Sequence, residues 1–554
     1  MAAKSGHVHP PQLVRHIVDL LICLLIAVIL VRTFQIEGYM ISTGSMAPGL
    51  LGFHKRVVCP KCDLTFALGV AFDKTVSESD RDLRLSAELC TCPNCSETGI
   101  EVSLVPRNQG DQLLVNKGAF FFRNPRRWEV VVFRNPHQPT ESYVKRAIGL
   151  PGESLLLRDG DVYINDELAR KDFETQYAMR IPVFDSAYRP DDPDWESRWI
   201  FAPPWTQAAS GFRYSPPQDA SVENASDAAA NSEFAWLTYR HRLRSGGNHL
   251  TNLATTPAIV AGFRRYESGS AAFPLAETER IWIDEQSGHL RCRGVIGPAF
   301  RKRLLTGSND PVYVAAIEKL TALSHFAPLA DIYGYNGEYG SGNEIRDLMI
   351  ALDCDAVTSG LLALDVQTGD RTIRISLDAT TSTIFVQDLS TRETIATYSV
   401  SGSILGQPFL WEVSTFDRQI TIAFNGTPIA VPIVLAELKS PQSLTSVPFR
   451  IGGKGGPIKL RNVRIYRDVY YTGRQKKHGV RQECRLGPDE YFVLGDNSPV
   501  SADSRSWESA GVPSRLLVGK PFLVHLPSRP GKVRLGGPWR YVRIPDFSRV
   551  RFVR

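Results

Sequence analysis

Thr43-Gly44-Ser45-Met46-Ala47-Pro48 stands shortly after a strongly apolar stretch near the N-terminus. A serine hydroxyl is a poor nucleophile until a base takes its proton. Lysine serves as that base when an apolar setting and neighbouring donors lower its pKa. Lys145 is the candidate, in Ser142-Tyr143-Val144-Lys145-Arg146-Ala147-Ile148, after the strand-like Glu129-Val130-Val131-Val132-Phe133. Alternation places Tyr143, Lys145 and Ala147 on one strand face and Val144, Arg146 and Ile148 on the other. A lysine so placed can be partly buried. From these residues alone, a surface lysine on a half-exposed strand is the stronger reading.

A second chemistry lies in the cysteines, five of whose nine fall between Cys59 and Cys95. Cys59-Pro60-Lys61-Cys62 and Cys92-Pro93-Asn94-Cys95 each present two thiols, and four thiolates suit one tetrahedral zinc ion with no open position. That describes a structural zinc-ribbon-like knob over residues 58–96. Disulfides are the competing reading, because the compartment implied by the N-terminus is oxidising. Cys90 has no partner in the zinc scheme. His54 could replace a thiolate, although a surface histidine is the default. The stretch between the turns holds a polar, turn-forming part from Phe72 to Ser77 and a charged run from Glu78 to Arg84.

These residues must be held by more than one folded unit, since 554 residues exceed what a single core organises. The net charge of +6, from 64 basic and 58 acidic residues, is slight for such a length and gives no footing for a nucleic-acid partner. Ile17 to Val31 reads IVDLLICLLIAVILV, with Asp19 its only charge. With its flanks and the snorkelling of Arg15 and Arg32 it predicts a single membrane span over 17–34. Lys4 and Arg15 place residues 1–16 in the cytoplasm, and Arg32 weakens that asymmetry. A cleaved leader and a buried helix are the alternatives, and the leader is disfavoured because Arg32-Thr33-Phe34-Gln35, not a small-x-small site, follows the apolar run.

Asp185 to Pro217 is rich in aromatic residues and proline, and Asp219 to Ser232 is of low complexity and reads as a flexible excursion. From Arg346 the pattern is β. Strands are predicted at 348–352, 360–364, 372–375, 383–386, 394–398, 419–424 and 460–466, with Asn425-Gly426 as a hairpin turn. They predict a sandwich over 341–470. Phe424-Asn425-Gly426 and Asn462-Val463-Arg464-Ile465-Tyr466 resemble a concanavalin-like or laminin-G-like jelly roll. Such a module binds glycan or envelope protein, or serves as a structural spacer. Asp353 and Asp355 are read as solvated turn carboxylates before a calcium loop. The basic C-terminal tail, 529–554, is read either as lying on a membrane or as solvated.

Three motifs in order resemble the type I signal peptidases, membrane-bound serine–lysine endopeptidases. Ser42-Thr43-Gly44-Ser45-Met46-Ala47-Pro48 resembles the family's serine motif, with Gly49 standing where threonine is usual. Tyr143-Val144-Lys145-Arg146-Ala147-Ile148-Gly149-Leu150-Pro151-Gly152 and the following Leu155 to Asp166 resemble the lysine motif and its hairpin. Gly495-Asp496-Asn497-Ser498-Pro499-Val500-Ser501-Ala502-Asp503-Ser504-Arg505 resembles the third motif, continued by Gly511-Val512-Pro513 and Val518-Gly519-Lys520.

The resemblance implies Ser45 as nucleophile, Lys145 as general base, Thr43 assisting the oxyanion hole and Ser501 orienting the lysine. Met46, Pro48 and Asp496 support the site, and Asp503 and Arg505 form an ion pair beside it. It implies no cofactor for catalysis and cleavage of presecretory proteins after small-x-small sites. Membrane lipid and the secretion translocon would be neighbours, on the periplasmic face of a bacterial inner membrane. The implied fold is mainly β, with a catalytic unit assembled from 35–57, 97–170 and 471–528 and an insertion at 171–340 ahead of the sandwich. Three alternatives stay open: a processing protease of narrow substrate range, an inactive membrane-anchored binding module and, opposed by the anchor, a self-cleaving soluble repressor.

Overall fold

The computed structural model describes residues 10–70, 89–190, 197–208, 211–217, 234–244, 250–269, 279–337, 342–369, 371–436, 446–473, 476–534 and 540–553. The stretches 72–84 and 219–232 lie wholly outside them.

The chain is mainly β. An antiparallel sheet runs in the order Ile36–Met40, Gln112–Asn116, Leu517–Val524, Val130–Arg134, Ser142–Gly149, Glu490–Leu494, Val512–Pro513. It gathers segments hundreds of residues apart because each carries an apolar run that no local partner covers. Val130 to Phe133 are all buried, which marks a central strand covered on both faces. The Lys145 strand lies between Val130–Arg134 and Glu490–Leu494, and this fixes the lysine's register opposite Val131. The expected hairpin follows as Ser154–Arg158 paired with Asp161–Ile164.

The sandwich is wider than 341–470. One sheet orders Trp205–Ala208, Gly211–Tyr214, Ile458–Arg467, Leu348–Cys354, Phe409–Ser414 and Gln419–Phe424, and adds Ile181–Asp185 on Ile458–Arg467. The other orders Trp199–Ile200, Ala235–Tyr239, Phe449–Lys454, Leu361–Thr368, Arg371–Asp378, Thr383–Asp388 and Glu393–Ser399. Their facing side chains form one large apolar core that includes Trp205, Phe212, Leu364, Ile375, Trp411 and Ile465. The aromatic segment after Asp185 therefore supplies strands to this core. Asn425 and Gly426 both have positive φ, as the tight hairpin turn requires. Asp353 and Asp355 are ion-paired with Arg461 and Lys459 rather than solvated.

A smaller unit was not foreseen. Leu250–Ala254, His289–Arg293 and Ile281–Asp284 form a three-stranded sheet under helices Pro257–Gly269, Pro298–Leu304 and Pro311–Ser324. It has a core of its own around Phe263, Leu290, Tyr313 and Ile317.

The C-terminal stretch is folded rather than a solvated tail. Ser528–Val533 pairs with Arg540–Pro545, and Arg551–Phe552 pairs with Leu517–Val524 of the catalytic sheet. Two of its basic residues, Arg549 and Arg551, face Asp111, and its Asp546 takes Arg56 of the strand His54–Val58. At the other end, the 17–34 stretch belongs to a helix, Pro10–Phe34. Among the described residues no helix is long and apolar enough to cross a membrane. The side chains at 27 and 29–34, inside the expected span, lie outside that description.

Candidate active site

Ser45 lies in a tight loop closed by Ala47 N–H donating to Gly44 O (3.0 Å) and Leu50 N–H to Met46 O (2.9 Å). Met46 and Ala47 are buried, which fixes the loop from below. The Lys145 strand crosses behind it. Lys145 Nζ is 2.6 Å from Ser45 Oγ, and both side chains are buried. Burial disfavours the ammonium and draws the Lys145 pKa down to about 8, with Arg505 adding to the fall and Asp503 and Asp496 opposing it. A buried amine near neutrality and in contact with a hydroxyl has the arrangement that proton abstraction requires. Thr43 Oγ1 stands 3.5 Å from Ser45 Oγ, at the limit of a hydrogen bond.

The third motif wraps this pair. Asp503 and Arg505 are fully buried and joined twice, at 2.9 and 2.8 Å. Burial alone would raise the Asp503 pKa, but the Arg505 guanidinium overrides it and holds the carboxyl below its usual range. Arg505 also donates to Thr472 O, Ser498 O and Ser498 Oγ, so one guanidinium ties the loop together. Ser501 is buried beside Gly495, close enough to Asp503 to help lower that pKa, yet its Oγ makes no hydrogen bond of acceptable geometry. The expected bond from Ser501 to Lys145 is therefore not made.

Several contacts escaped the sequence. Arg146, on the strand face opposite Lys145, grips Asp496 with two bonds of 2.9 and 2.7 Å in a buried pair. Alternation had set Arg146 apart from Lys145, but nothing local named its partner. Asn497 N–H donates to Ser45 O (3.0 Å), and its side-chain Nδ2 donates to Gly44 O (3.0 Å). The Gly49 carbonyl accepts from Arg551 of the C-terminal strand, which ties the end of the loop. A Cβ there would meet only Met46 O at 3.5 Å and Asp496 Oδ2 at 4.0 Å.

The cysteine turns close on one another. Sγ atoms lie 3.6 Å apart for Cys59 and Cys95 and 3.7 Å for Cys62 and Cys92. All four thiols are free and buried, within 4.8 Å of one another. Those separations are too long for disulfides. They match the roughly 3.8 Å between thiolates bound tetrahedrally at about 2.3 Å from zinc. The two arms repeat one geometry: Cys59 N–H donates to Leu64 O, and Cys92 N–H to Glu97 O. Asp63 and Ser96, at matching places, both have positive φ. This cluster can coordinate a structural zinc ion. His54 is buried, not on the surface, and its ring faces Gly52 O and Asn108, away from the thiols. Cys90 packs beside the cluster, and burial pushes its thiol up to about 11. The purified chain should carry one zinc per molecule by elemental analysis. Chelation should lower its unfolding midpoint by roughly 5 °C or more. Zinc-free protein in which Cys59, Cys62, Cys92 and Cys95 carry no free thiol would return the disulfide reading.

With this geometry in view, the comparisons concern the motif-bearing segments. Residues 102–210 and 417–526 match the family described as signal peptidase, peptidase S26. The chain is 49% identical over 51 residues to a signal peptidase I of Rickettsia bellii (strain OSU 85-389), covering 9% of this chain and 18% of that protein. It is 51% identical over 51 residues to one from Rickettsia massiliae, covering 9% and 19%. These matches span less than a fifth of the relatives' length. The chain thus contains a signal peptidase domain of the S26 type, with extra β-rich insertions and a cluster of four cysteines. Among solved structures, a Caenorhabditis elegans galectin (LEC-6) aligns over 22% of this chain and 83% of its own at 12% identity, TM-score 0.18. A Bacillus subtilis protein of galectin-like fold aligns over 22% and 71% at 11% identity, TM-score 0.19.

Proposed function

We propose that the chain is a membrane-anchored serine endopeptidase that removes signal peptides from secreted preproteins. The contact of 2.6 Å between buried Lys145 and Ser45 carries the reading. In the reaction neutral Lys145 takes the Ser45 hydroxyl proton, and Ser45 attacks the scissile carbonyl. The Ser45 N–H and the Thr43 hydroxyl steady the oxyanion. Protonated Lys145 then gives its proton to the departing amine, and the amine so restored activates water for deacylation. Ser501 packs against Gly495 beside the pair. Met46 and Pro48 shape the loop. Asp496 anchors the lysine strand through Arg146.

Location at an inner membrane follows from the same reading. The N-terminal helix passes directly into Ile36–Met40, an edge strand of the catalytic sheet. Its described apolar side chains, such as Leu20, Leu21, Leu24 and Leu25, are exposed, as lipid contact would have them. Phe121 and Phe122 are exposed on the turn after Gln112–Asn116, the strand paired with that edge. Together they support a reading in which the serine loop lies near a bilayer on the periplasmic side, where a signal peptide arrives from the translocon. For the sandwich, contacts with the catalytic unit favour bracing over glycan capture: Arg418 of the sandwich reaches Asp161 at 3.5 Å and donates to the Tyr163 hydroxyl at 2.6 Å, both on the hairpin after the lysine strand.

The test is cleavage of a presecretory protein in detergent micelles, with the product N-terminus determined. Wild type should cut after a small-x-small site, and Ser45→Ala should show no cleavage above background. Folded wild type that leaves the preprotein intact, or a Ser45→Ala variant that cuts normally, would remove the assignment.

A further inference from the structure

The short 3-10 turn Gly334–Asn336, far from every motif in sequence, is packed against the serine loop. Tyr335 is wedged between Gly44 of that loop and Gly69 of the knob strand Thr65–Gly69, and a Cβ on either glycine would collide with its ring. Its hydroxyl donates to Phe53 O at 3.1 Å. Tyr333 OH donates to Asp496 O at 2.7 Å. Asn336 and Asn497 exchange two bonds: Asn336 Nδ2 donates to Asn497 Oδ1 at 2.9 Å, and Asn497 Nδ2 donates to Asn336 Oδ1 at 2.7 Å. An amide nitrogen has two hydrogens. On Asn497 one goes to Asn336 and the other to Gly44 O, so the first bond aims the second.

We infer that Asn336 is a positioning residue for Ser45, acting through Asn497, and that the insertion is thereby an integral part of the active site. The turn has a firm footing of its own. Arg467, at the end of sandwich strand Ile458–Arg467, donates to Ile332 O at 3.1 Å and stacks on the Tyr333 ring at 4.3 Å. Asp331 takes two bonds from Asn343 at 2.7 and 2.8 Å. A contact chain thus runs from the sandwich through 331–336 to Asn497 and the carbonyls of Gly44 and Ser45. Loss of the Asn336 acceptor frees the Asn497 amide to rotate, and the loop carrying the nucleophile loses a fixed bond. A small misplacement of a nucleophile costs rate far more than binding.

The consequence for rate rests on the serine–lysine reading; the brace itself does not. The experiment uses the full chain in micelles with Asn336→Ala, Asn336→Leu and Asn336→Asp. It reads kcat and KM on a presecretory protein, hydrogen exchange of the Ala47 and Leu50 amides, and the unfolding midpoint. Alanine and leucine should lower kcat about tenfold with KM within about twofold, and speed exchange at both amides. Aspartate still accepts from Asn497 Nδ2 but turns its other carboxylate oxygen on Asn497 Oδ1, so its kcat should fall between those of leucine and wild type. Unchanged kcat and exchange in the alanine and leucine variants would overturn the inference. So would an aspartate variant as impaired as leucine, or an effect confined to KM. Wild type without peptidase activity but with exchange loosened by Asn336→Ala would leave the brace standing and remove the proposed function.

Discussion

Lys145→Met should lower kcat/KM at least about a thousandfold, equivalent to about 4 kcal/mol of transition-state stabilisation. Methionine keeps the length and apolar packing of the lysine stem, so the fold should survive while the base is gone. Ser45 Oγ would then face a thioether that cannot take its proton. The sign of the pH dependence follows from burial. Lys145 titrates near 8, lowered from 10.5, so at pH 7 roughly one molecule in ten has the neutral amine. Activity should therefore rise with pH along a limb centred near 8 and level off above it. The check is kcat/KM from pH 6 to 10 for wild type, with Lys145→Met measured at the plateau. A flat wild-type profile, or a methionine variant within tenfold of wild type, would exclude lysine as the base.

The distinction between legible and illegible features follows sequence separation and chemistry. The Ser45, Lys145 and Asp503–Arg505 motifs could be read because each packs its chemistry into a few neighbouring residues. The paired cysteine turns could be read for the same reason. Strands such as Thr383–Asp388 and Gln419–Phe424 announced themselves by β-branched runs bounded by turn residues. The strand Phe449–Lys454 did not, because it includes Gly452 and Gly453, which make room for Trp236 and Tyr214. The helix Pro311–Ser324 had a readable start: Asp310 caps it by accepting from Val312 N–H at 2.8 Å, with proline in the first turn. The rest of that helix carries no such signal, because its buried Tyr313, Ala316, Ile317 and Leu320 are interleaved with exposed or half-exposed apolar residues such as Val312, Val314 and Leu323. Asn336 and Tyr335 had no signal at all. Their importance lies wholly in what they touch, and those partners are more than 150 residues away in either direction along the chain.

The Asp503–Arg505 pair yields the most discriminating prediction, because its two halves act on Lys145 with opposite signs. Both side chains are fully buried, so removing one leaves an unpaired charge in the interior. Asp503→Asn and Arg505→Leu should each destabilise the chain by about 3–5 kcal/mol, seen as a fall in denaturation midpoint. Their effects on surviving activity should diverge. The Asp503 carboxylate favours the Lys145 ammonium and raises its pKa, so Asp503→Asn should move the acid limb to lower pH. Arg505 disfavours that ammonium, so Arg505→Leu should move the limb to higher pH. The double variant removes both charges at once. It should recover part of the lost stability and return the limb toward that of wild type. Measured limbs that shift in the same direction for both single variants would mean that the pair acts on the site through loop geometry alone. Opposite shifts would establish that the field of this ion pair tunes the working pH that the burial of Lys145 sets.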